Sequence, residues 1–282
     1  MARLPRLVVP GHLHHVIARG NNDQPIVRDD ADSRAFLNWL RDAAQQADVA
    51  IHAYVLLPNR VQLLATPATA EGLGKMMQAL GRHYVPYFNA RYARSGSLWE
   101  GRFRATVLDA DAYFIPCAHL IEQQSVRAGI VTELASYPWS SYAHHVGSRR
   151  EAWLTDHPAY WALGNTPFDR EVAYQQSVDA ALPASLVAEI ESATHKAWPL
   201  GTAEFRRRLG KLTTRRLEPA RRGRPRKTAE TGESGEQGGA GPVADSAPDS
   251  TADRAADRAA DPLAPPPPSK PAKPRRRPAG SR

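Results

Sequence analysis

Residues 54–67 constrain the fold of this chain more than any other segment. Two apolar runs flank a Pro-Asn turn, a pattern that predicts a hairpin with strands over 49–57 and 61–65. Side chains in a strand alternate between the two faces of a sheet. Arg60 and Gln62 are therefore expected to project together from one sheet surface, while the residue between them faces the other way.

The segments around this hairpin complete a recognisable order of elements. Apolar periodicities of two and of about 3.6 residues predict a first strand over 8–20, helices over 29–48, 72–92 and 111–128, and a fourth strand over 99–108. The order β-α-β-β-α-β, followed by a helix, predicts an α+β fold of the ferredoxin-like split βαβ type. Such a fold has one antiparallel sheet with helices on one face.

The remainder of the chain is predicted to be helical first and disordered after that. Short helices are predicted over 170–181, 184–196 and 203–210, and after residue 228 the composition is dominated by Gly, Pro, Ala, Asp and Ser. Such a composition cannot bury a core and predicts disorder. We expect a ferredoxin-like domain over 1–150, a helical extension over 151–216, a basic segment over 217–228 and a disordered tail over 229–282.

The positive charge of the chain is concentrated in one segment. The formal net charge is +8, and residues 206–227 hold eleven basic side chains against one acidic side chain, Glu218. This concentration is the expected footprint of a phosphate-binding element, although a solvated, solubilising charge run is the alternative.

Cysteine usage and hydropathy limit the possible environments. Cys117 is the one cysteine, so an intrachain disulfide is excluded and no cysteine-based zinc site is supported. No apolar run approaches the roughly 18–20 residues of a membrane helix. We expect no membrane partner and a cytoplasmic, nucleoid-associated location.

Six segments in a fixed order carry a family resemblance. They are residues 11–21, 27–32, 58–64, 96–105, 125–131 and 137–142. Together they resemble the REP-associated group of the single-tyrosine, HUH-type transposases over roughly residues 3–150, where the usual hairpin text is Pro-Asn-His-apolar-His-Leu-Leu. The resemblance implies the same ferredoxin-like fold.

The resemblance also implies a mechanism, whose parts this sequence lacks. In the family, a metal held by two histidines polarises a DNA phosphate and a helix tyrosine attacks it, which leaves a covalent phosphotyrosine. Here the histidine positions hold Arg60 and Gln62, and the tyrosine position holds Leu120. Gln124 stands at the fourth catalytic position. We therefore expect no catalytic residue, no metal site and no cofactor; Mg²⁺ or Mn²⁺ would be needed only if strand cleavage survived.

Several neighbouring residues leave alternatives open. Arg60 could pair with the phosphate that the metal would have held, or could be a surface arginine bonded to Glu122 or Asp109. Tyr113 lies about two helical turns before Leu120, too far for a simple replacement of the nucleophile. His15 is expected to be a satisfied strand histidine and not a ligand.

The basic segment contains a second DNA-binding signal. The run Arg-Arg-Gly-Arg-Pro-Arg-Lys over 221–227 resembles an AT-hook, in which glycine fits the floor of a narrow minor groove and arginines reach along it. A plain basic linker is the alternative. The predicted nucleic-acid-binding residues are Arg19, Arg102, Arg104, Arg221, Arg222, Arg224, Arg226 and Lys227.

These features predict a transposase-family DNA-binding protein that does not cleave strands. The DNA would be a single-stranded hairpin or an AT-rich duplex. One alternative is an active single-strand DNA transposase that uses replacement residues; another is a non-enzymatic helical interaction module. The oligomeric state stays undetermined.

Overall fold

The computed structural model describes residues 6–218 of the chain. Its first part contains β1 (Leu13–Arg19), α1 (Asp30–Gln46), β2 (Val49–Leu57), β3 (Arg60–Pro67), α2 (Gly72–Arg91), β4 (Arg104–Leu108) and α3 (Ala110–Glu122). The four strands form one sheet in the order β2-β3-β1-β4, and every pairing between them is antiparallel. This topology is the split βαβ arrangement, and the predicted fold class is confirmed.

The first sheet face is covered by α1 and α2, as predicted. Alternate residues of the central hairpin, including Leu56, Val61 and Leu63, pack here against apolar side chains such as Phe36 and Tyr84. All five side chains are at most 1% exposed. Burial of a side chain of this size contributes about 1.5–3 kcal/mol, so this cluster accounts for a large part of the hydrophobic stabilisation.

The second sheet face is also buried, and α3 lies against it. Val55, Leu57 and Leu64 project from the sheet toward Phe114 and Leu120 of this helix. The expectation of helices on one face therefore describes α1 and α2, whereas α3 covers the opposite face. The physical reason is the continuous apolar run of β2, because a strand that is apolar on both sides needs cover on both sides.

Six further helices complete the described part of the chain. They are α4 (Gln124–Arg127), α5 (Tyr142–His145), α6 (Pro158–Trp161), α7 (Pro167–Asp179), α8 (Ala184–Lys196) and α9 (Ala203–Leu212). The predicted extension is thus helical, and α9 packs Phe205 and Leu209 against Val107 of β4. No helix within residues 6–218 has the length and apolar character needed to cross a membrane. The division into domains stays a prediction, and residues 219–282 with most of the basic segment lie outside the described residues.

A buried carboxylate ties α3 to the helices that follow it. Glu122 is 0% exposed, and its Oε2 accepts a hydrogen bond from the Tyr174 hydroxyl at 2.8 Å. Its Oε1 accepts from the Ser141 hydroxyl at 2.5 Å and lies 2.7 Å from Nδ1 of His145. Burial and the Glu122 charge raise the pKa of Tyr174 well above its ordinary value, so the phenol stays a donor. The network fixes α3 relative to α5 and α7.

Candidate functional site

A cavity of about 260 Å³ opens where β1, β3 and β4 meet α3 and α8. Seven residues predicted from the sequence line it: Arg19, Arg60, Gln62, Arg102, Arg104, Leu120 and Gln124. The other lining residues are His15, Ile17, Glu100, Glu191 and His195. The structure therefore brings together all predicted site residues that lie within the described part of the chain.

The strand register explains this convergence. Arg60 and Gln62 project from the same face of β3, and Val61 between them packs on the opposite face, as predicted. In the antiparallel pairing Arg19 stands directly opposite Arg60, and Ile17 stands opposite both Gln62 and Arg104. Residues that stand opposite one another share a face. The sheet thus presents three arginines to one cavity.

Gln62 is held by a histidine of the neighbouring strand. Its Oε1 lies 3.0 Å from Nε2 of His15, whose Nδ1 lies 2.9 Å from the Thr194 hydroxyl of α8. Burial lowers the pKa of His15 to about 4, so the ring is neutral at pH 7. A neutral ring donates a hydrogen bond through one nitrogen and accepts one through the other. The Thr194 hydroxyl and the Gln62 side-chain amide can each act as donor or acceptor, so both bonds can form. His15 is a satisfied strand histidine, as predicted.

Arg60 lies at the floor of the cavity with one donor group unused. Its Nη2 donates to Oε1 of Gln124 at 2.9 Å, and Gln124 Nε2 donates to the Leu120 carbonyl at 3.2 Å. The alternative partners Glu122 and Asp109 do not bond Arg60, because Glu122 is occupied by its own buried network and Asp109 accepts from Thr202. Nε of Arg60 is buried and has no hydrogen-bond partner within residues 6–218. Burial first, and the Arg19 charge next, lower the pKa of Arg60.

The other arginines stand nearer the solvent. Arg19 pairs with Asp23 at 3.1 Å and more loosely with Glu100 at 3.7 Å. Arg104 donates to the His195 carbonyl at 2.9 Å. Arg102 is exposed and has no ion-pair or hydrogen-bond partner in the described part of the chain. Exposed guanidinium groups with weak partners are available to an anionic ligand.

The cavity has no group that could attack a phosphate in the family's manner. None of its described lining residues is Tyr, Ser, Thr or Cys. Tyr113 does not line it, and the Tyr113 hydroxyl donates to Oε1 of Glu189 at 3.2 Å. Burial, followed by the Glu189 charge, raises the pKa of Tyr113, which disfavours the phenolate.

Arg60 and Gln62, the residues at the positions where the sequence resemblance implies metal ligands, do not fit a divalent cation. Arg60 is itself a cation and donates to the oxygen of Gln124, and the amide of Gln62 is bonded to His15. Within residues 6–218 no group of three His, Cys, Asp or Glu side chains is arranged to hold a metal ion.

Sequence reasoning missed the contribution of α8 to the site. This helix was predicted, yet nothing in its sequence indicates that Glu191 and His195 line the cavity or that Thr194 bonds His15. Glu191 pairs with Arg127 at 3.5 Å, and His195 bonds Arg104. An amphipathic pattern predicts that a helix has a buried face, but not which surface it covers.

Comparisons with known proteins do not assign this chain to a family. No family model matches the chain, and no curated protein matches it. One similar solved structure is a REP-associated tyrosine transposase bound to a REP hairpin, with a TM-score of 0.43 and 12% identity over 56% of this chain and 93% of that chain. Another is a candidate transposase from Deinococcus radiodurans R1, with a TM-score of 0.30 and 21% identity over 41% of this chain and 94% of that chain. Both TM-scores lie below 0.5.

Proposed function

We propose that this protein binds DNA through a backbone phosphate held in the arginine-lined cavity and does not cleave the strand. The observation that carries the proposal is the state of Arg60. Its guanidinium lines the cavity, Nη2 is fixed by Gln124, and Nη1 makes no hydrogen bond to any described residue and can donate to a ligand. A phosphate oxygen bound at Nη1 would form a charge-assisted hydrogen bond, which is stronger than a neutral one.

A DNA phosphate fits the arginine donors of this cavity better than a carboxylate of the protein itself would. Arginine presents a planar fork of donors that matches phosphate oxygens, and charge-assisted hydrogen bonds of this kind are the strong ones. Four arginines face two glutamates in the lining, so the cavity carries excess positive charge. Arg19, Arg102 and Arg104 would contact neighbouring phosphates of the same strand.

The absence of cleavage is part of the proposal and has two supports. The described lining offers no hydroxyl or thiol nucleophile, and Leu120 has no nucleophilic atom. The fixed charge of Arg60 takes the place of a metal cation at the phosphate, but it cannot activate a distant tyrosine. An active transposase would have to rearrange Tyr113, which is bonded to Glu189 on α8.

A second DNA contact is proposed at the basic side of α9 and in the segment after it. Phe205 and Leu209 are buried, while Arg207, Arg208 and Lys211 are exposed on the same helix. These cations would add phosphate contacts. The AT-hook-like residues over 221–227 lie outside the described residues and remain a prediction for AT-rich duplex binding.

Fluorescence anisotropy with a labelled hairpin oligonucleotide tests the proposal. Arg60→Ala should weaken binding about tenfold or more, which is the loss of one charge-assisted phosphate contact. Arg34→Ala removes an exposed arginine of α1 on the other face of the sheet and serves as the matched control. Affinity should also fall steeply with salt, with a slope of roughly −0.7 per phosphate contacted on a single strand.

The same measurement separates the alternatives. Equal affinities of the wild type, Arg60→Ala and Arg34→Ala, or a flat salt dependence, would contradict the phosphate cavity. If the intact protein bound no DNA of any form, the helical interaction module would gain support.

A further inference from the structure

Gln62 is a buried polar residue of β3 whose side chain lines the arginine-lined cavity. The residue is 5% exposed, and its Oε1 lies 3.0 Å from Nε2 of His15. The other end of the amide has no such neighbour. Nε2 of Gln62 makes no hydrogen bond to any residue over 6–218, and it is not fully enclosed by protein atoms. The cavity therefore contains a free amide donor beside its guanidinium groups.

The direction of the Gln62 amide depends on the ring that it contacts. An amide oxygen accepts hydrogen bonds, whereas the amide nitrogen donates them. With Oε1 toward His15, the imidazole carries a proton on Nε2 and the amide nitrogen turns to the cavity. With the ring proton on Nδ1 instead, Nε2 would need a donor, so the amide would turn over and its oxygen would face the cavity. The tautomer of His15 thus decides whether Gln62 attracts or repels an anion.

Thr194 of α8 selects between these two tautomers. Its hydroxyl oxygen lies 2.9 Å from Nδ1 of His15 and 2.9 Å from the Ile190 carbonyl, one turn earlier in the same helix. A hydroxyl proton donated to Nδ1 leaves the ring proton on Nε2, which is the arrangement that Oε1 of Gln62 requires. The Ile190 carbonyl does not depend on this hydroxyl, because in an α-helix it also accepts from the N–H four residues later.

The bonded chain from Thr194 to Gln62 is buried, and its open end lies at the cavity. Thr194 is 0% exposed and His15 is 1% exposed. Burial lowers the pKa of His15 to about 4, so at pH 7 the ring carries one proton and the position of that proton matters. Apolar residues of the same shape would fill this space at little or no cost in stability. A polar chain that ends in an open donor therefore indicates a ligand at that end.

We propose that Thr194 and His15 are positioning residues that hold the Gln62 amide nitrogen toward the cavity, where it donates to the DNA phosphate bound by Arg60. The inference rests on the proposed function and adds to it a neutral donor and the pair of residues that orients this donor. Residues two apart in a strand lie about 7 Å from each other on one face, so both side chains can reach oxygens of a single phosphate.

Methylphosphonate substitution of the DNA locates that phosphate. Each phosphate in the single-stranded part of a labelled hairpin is replaced in turn by a neutral methylphosphonate, and the affinity of the full-length protein is measured by fluorescence anisotropy. One position should weaken wild-type binding about tenfold or more, and Arg60→Ala should lose this sensitivity. If no position responds, or if Arg60→Ala stays sensitive, the phosphate cavity fails and this inference fails with it.

The coupling of Gln62 to the same phosphate is measured next. Gln62→Met keeps the length of the side chain and removes the amide. It should weaken binding of the unmodified hairpin about tenfold, the loss of one hydrogen bond to a charged group, and binding of the methylphosphonate hairpin less than about threefold. Gln45→Met, at an exposed position of α1, should match the wild type on both DNAs. Equal losses on both DNAs would overturn the Gln62 contact and leave the Arg60 contact standing.

The role of His15 is tested with the same two DNAs. His15→Leu removes the donor to Oε1 of Gln62, so the amide is no longer held. The coupling of Gln62 to the phosphate, measured with the double variant of His15→Leu and Gln62→Met, should fall about threefold or more, because a free side chain must be ordered on binding. The coupling of Arg60 should keep its wild-type value, whereas a general loss of structure would lower both. An unchanged Gln62 coupling would show that His15 does not position the amide.

The tautomer of His15 in the wild type gives an answer that needs no stable variant. Long-range proton–nitrogen NMR correlations distinguish protonated from bare ring nitrogens, with the ring assigned through its backbone resonances. At pH 7 we expect the proton of His15 on Nε2 and a bare Nδ1. A proton on Nδ1 would place the Gln62 oxygen at the cavity and overturn the proposal, whatever the variants show.

Discussion

The guanidinium of Arg60 donates to Oε1 of Gln124 at 2.9 Å, and this bond joins β3 to the helical turn that follows α3. It holds a fixed cation at the wall of the arginine-lined cavity. Because Nε of the same group is buried without a partner among residues 6–218, the bond positions the arginine without satisfying it.

Removal of the Gln124 acceptor should destabilise the protein more than removal of both partners. Gln124→Leu leaves Nη2 of Arg60 without an acceptor and should cost about 1–3 kcal/mol in free energy of unfolding, measured in urea. The double variant Arg60→Leu with Gln124→Leu should recover part of that loss, since no charge is left unpaired. Gln45→Leu, at an exposed position of α1, is the control. Equal losses in the single and double variants would show that the bond has no such role.

No covalent protein–DNA adduct should form. A single-stranded hairpin incubated with the protein in Mg²⁺ or Mn²⁺ and run on a denaturing gel should give no shifted band, because the cavity lining holds no tyrosine. A shifted band would contradict the prediction. Loss of that band in Tyr113→Phe would then identify a replacement nucleophile.

The protein should lose stability between about pH 6.5 and pH 4. Burial is the largest cause that lowers the pKa of His14, His15, His52 and His119, each to about 4. Folded pKa values below the unfolded value of about 6.5 mean that the unfolded chain binds more protons in this range, so acid favours unfolding. Each buried ring contributes at most about 3 kcal/mol, and below pH 4 its contribution stops changing.

The test measures the urea concentration at the midpoint of unfolding as a function of pH. Variants that each remove one histidine show how much a single ring contributes. His15→Gln should flatten the slope between pH 6.5 and 4, and His83→Gln, an exposed position of α2, should leave it unchanged. A midpoint that does not move across this interval would show that these histidines are not neutral in the folded state.

Glu122 should be among the costliest residues to replace. Glu122→Ala leaves the Tyr174, Ser141 and His145 side chains without their common acceptor and opens a cavity in the core. Loss of one partner from a buried charged network costs about 3–5 kcal/mol. Glu189→Ala removes an exposed carboxylate of α8 and should cost under about 0.5 kcal/mol. A similar urea midpoint for both variants would contradict the structural role of Glu122.

Truncation after Glu218 should separate DNA binding by the arginine-lined cavity from DNA binding by the segment over 221–227. Leu209 packs against β4, so a deletion that begins at 206 would remove a core residue, whereas a stop after Glu218 keeps α9 complete. The shortened protein should keep its affinity for a hairpin and lose affinity for an AT-rich duplex. Retention of full duplex affinity would show that the segment over 221–227 is only a linker.

Local sequence patterns predicted most of the fold, with errors at the ends of elements. β1 begins at Leu13 and not at residue 8, because the chain turns at Gly11, where φ is +71°. β4 begins at Arg104 and not at 99, because φ at Gly101 is +68° and Trp99 pairs only as an isolated bridge. Alternation and helical periodicity are averages over many residues, whereas an element ends at one residue, where a single dihedral angle decides.

The sequence by itself determined the chemistry of the site. It identified the arginine, glutamine and leucine side chains that meet in the cavity, and alternation along β3 was sufficient to place Arg60 and Gln62 on one face. Only the tertiary structure decided what surrounds them. The bond between His15 and Thr194 spans 179 positions of the chain, and the arginine-lined cavity is built from β1, β3, β4, α3 and α8. Contacts of this kind leave no local pattern, because their energy depends on side chains that meet only after the chain has folded.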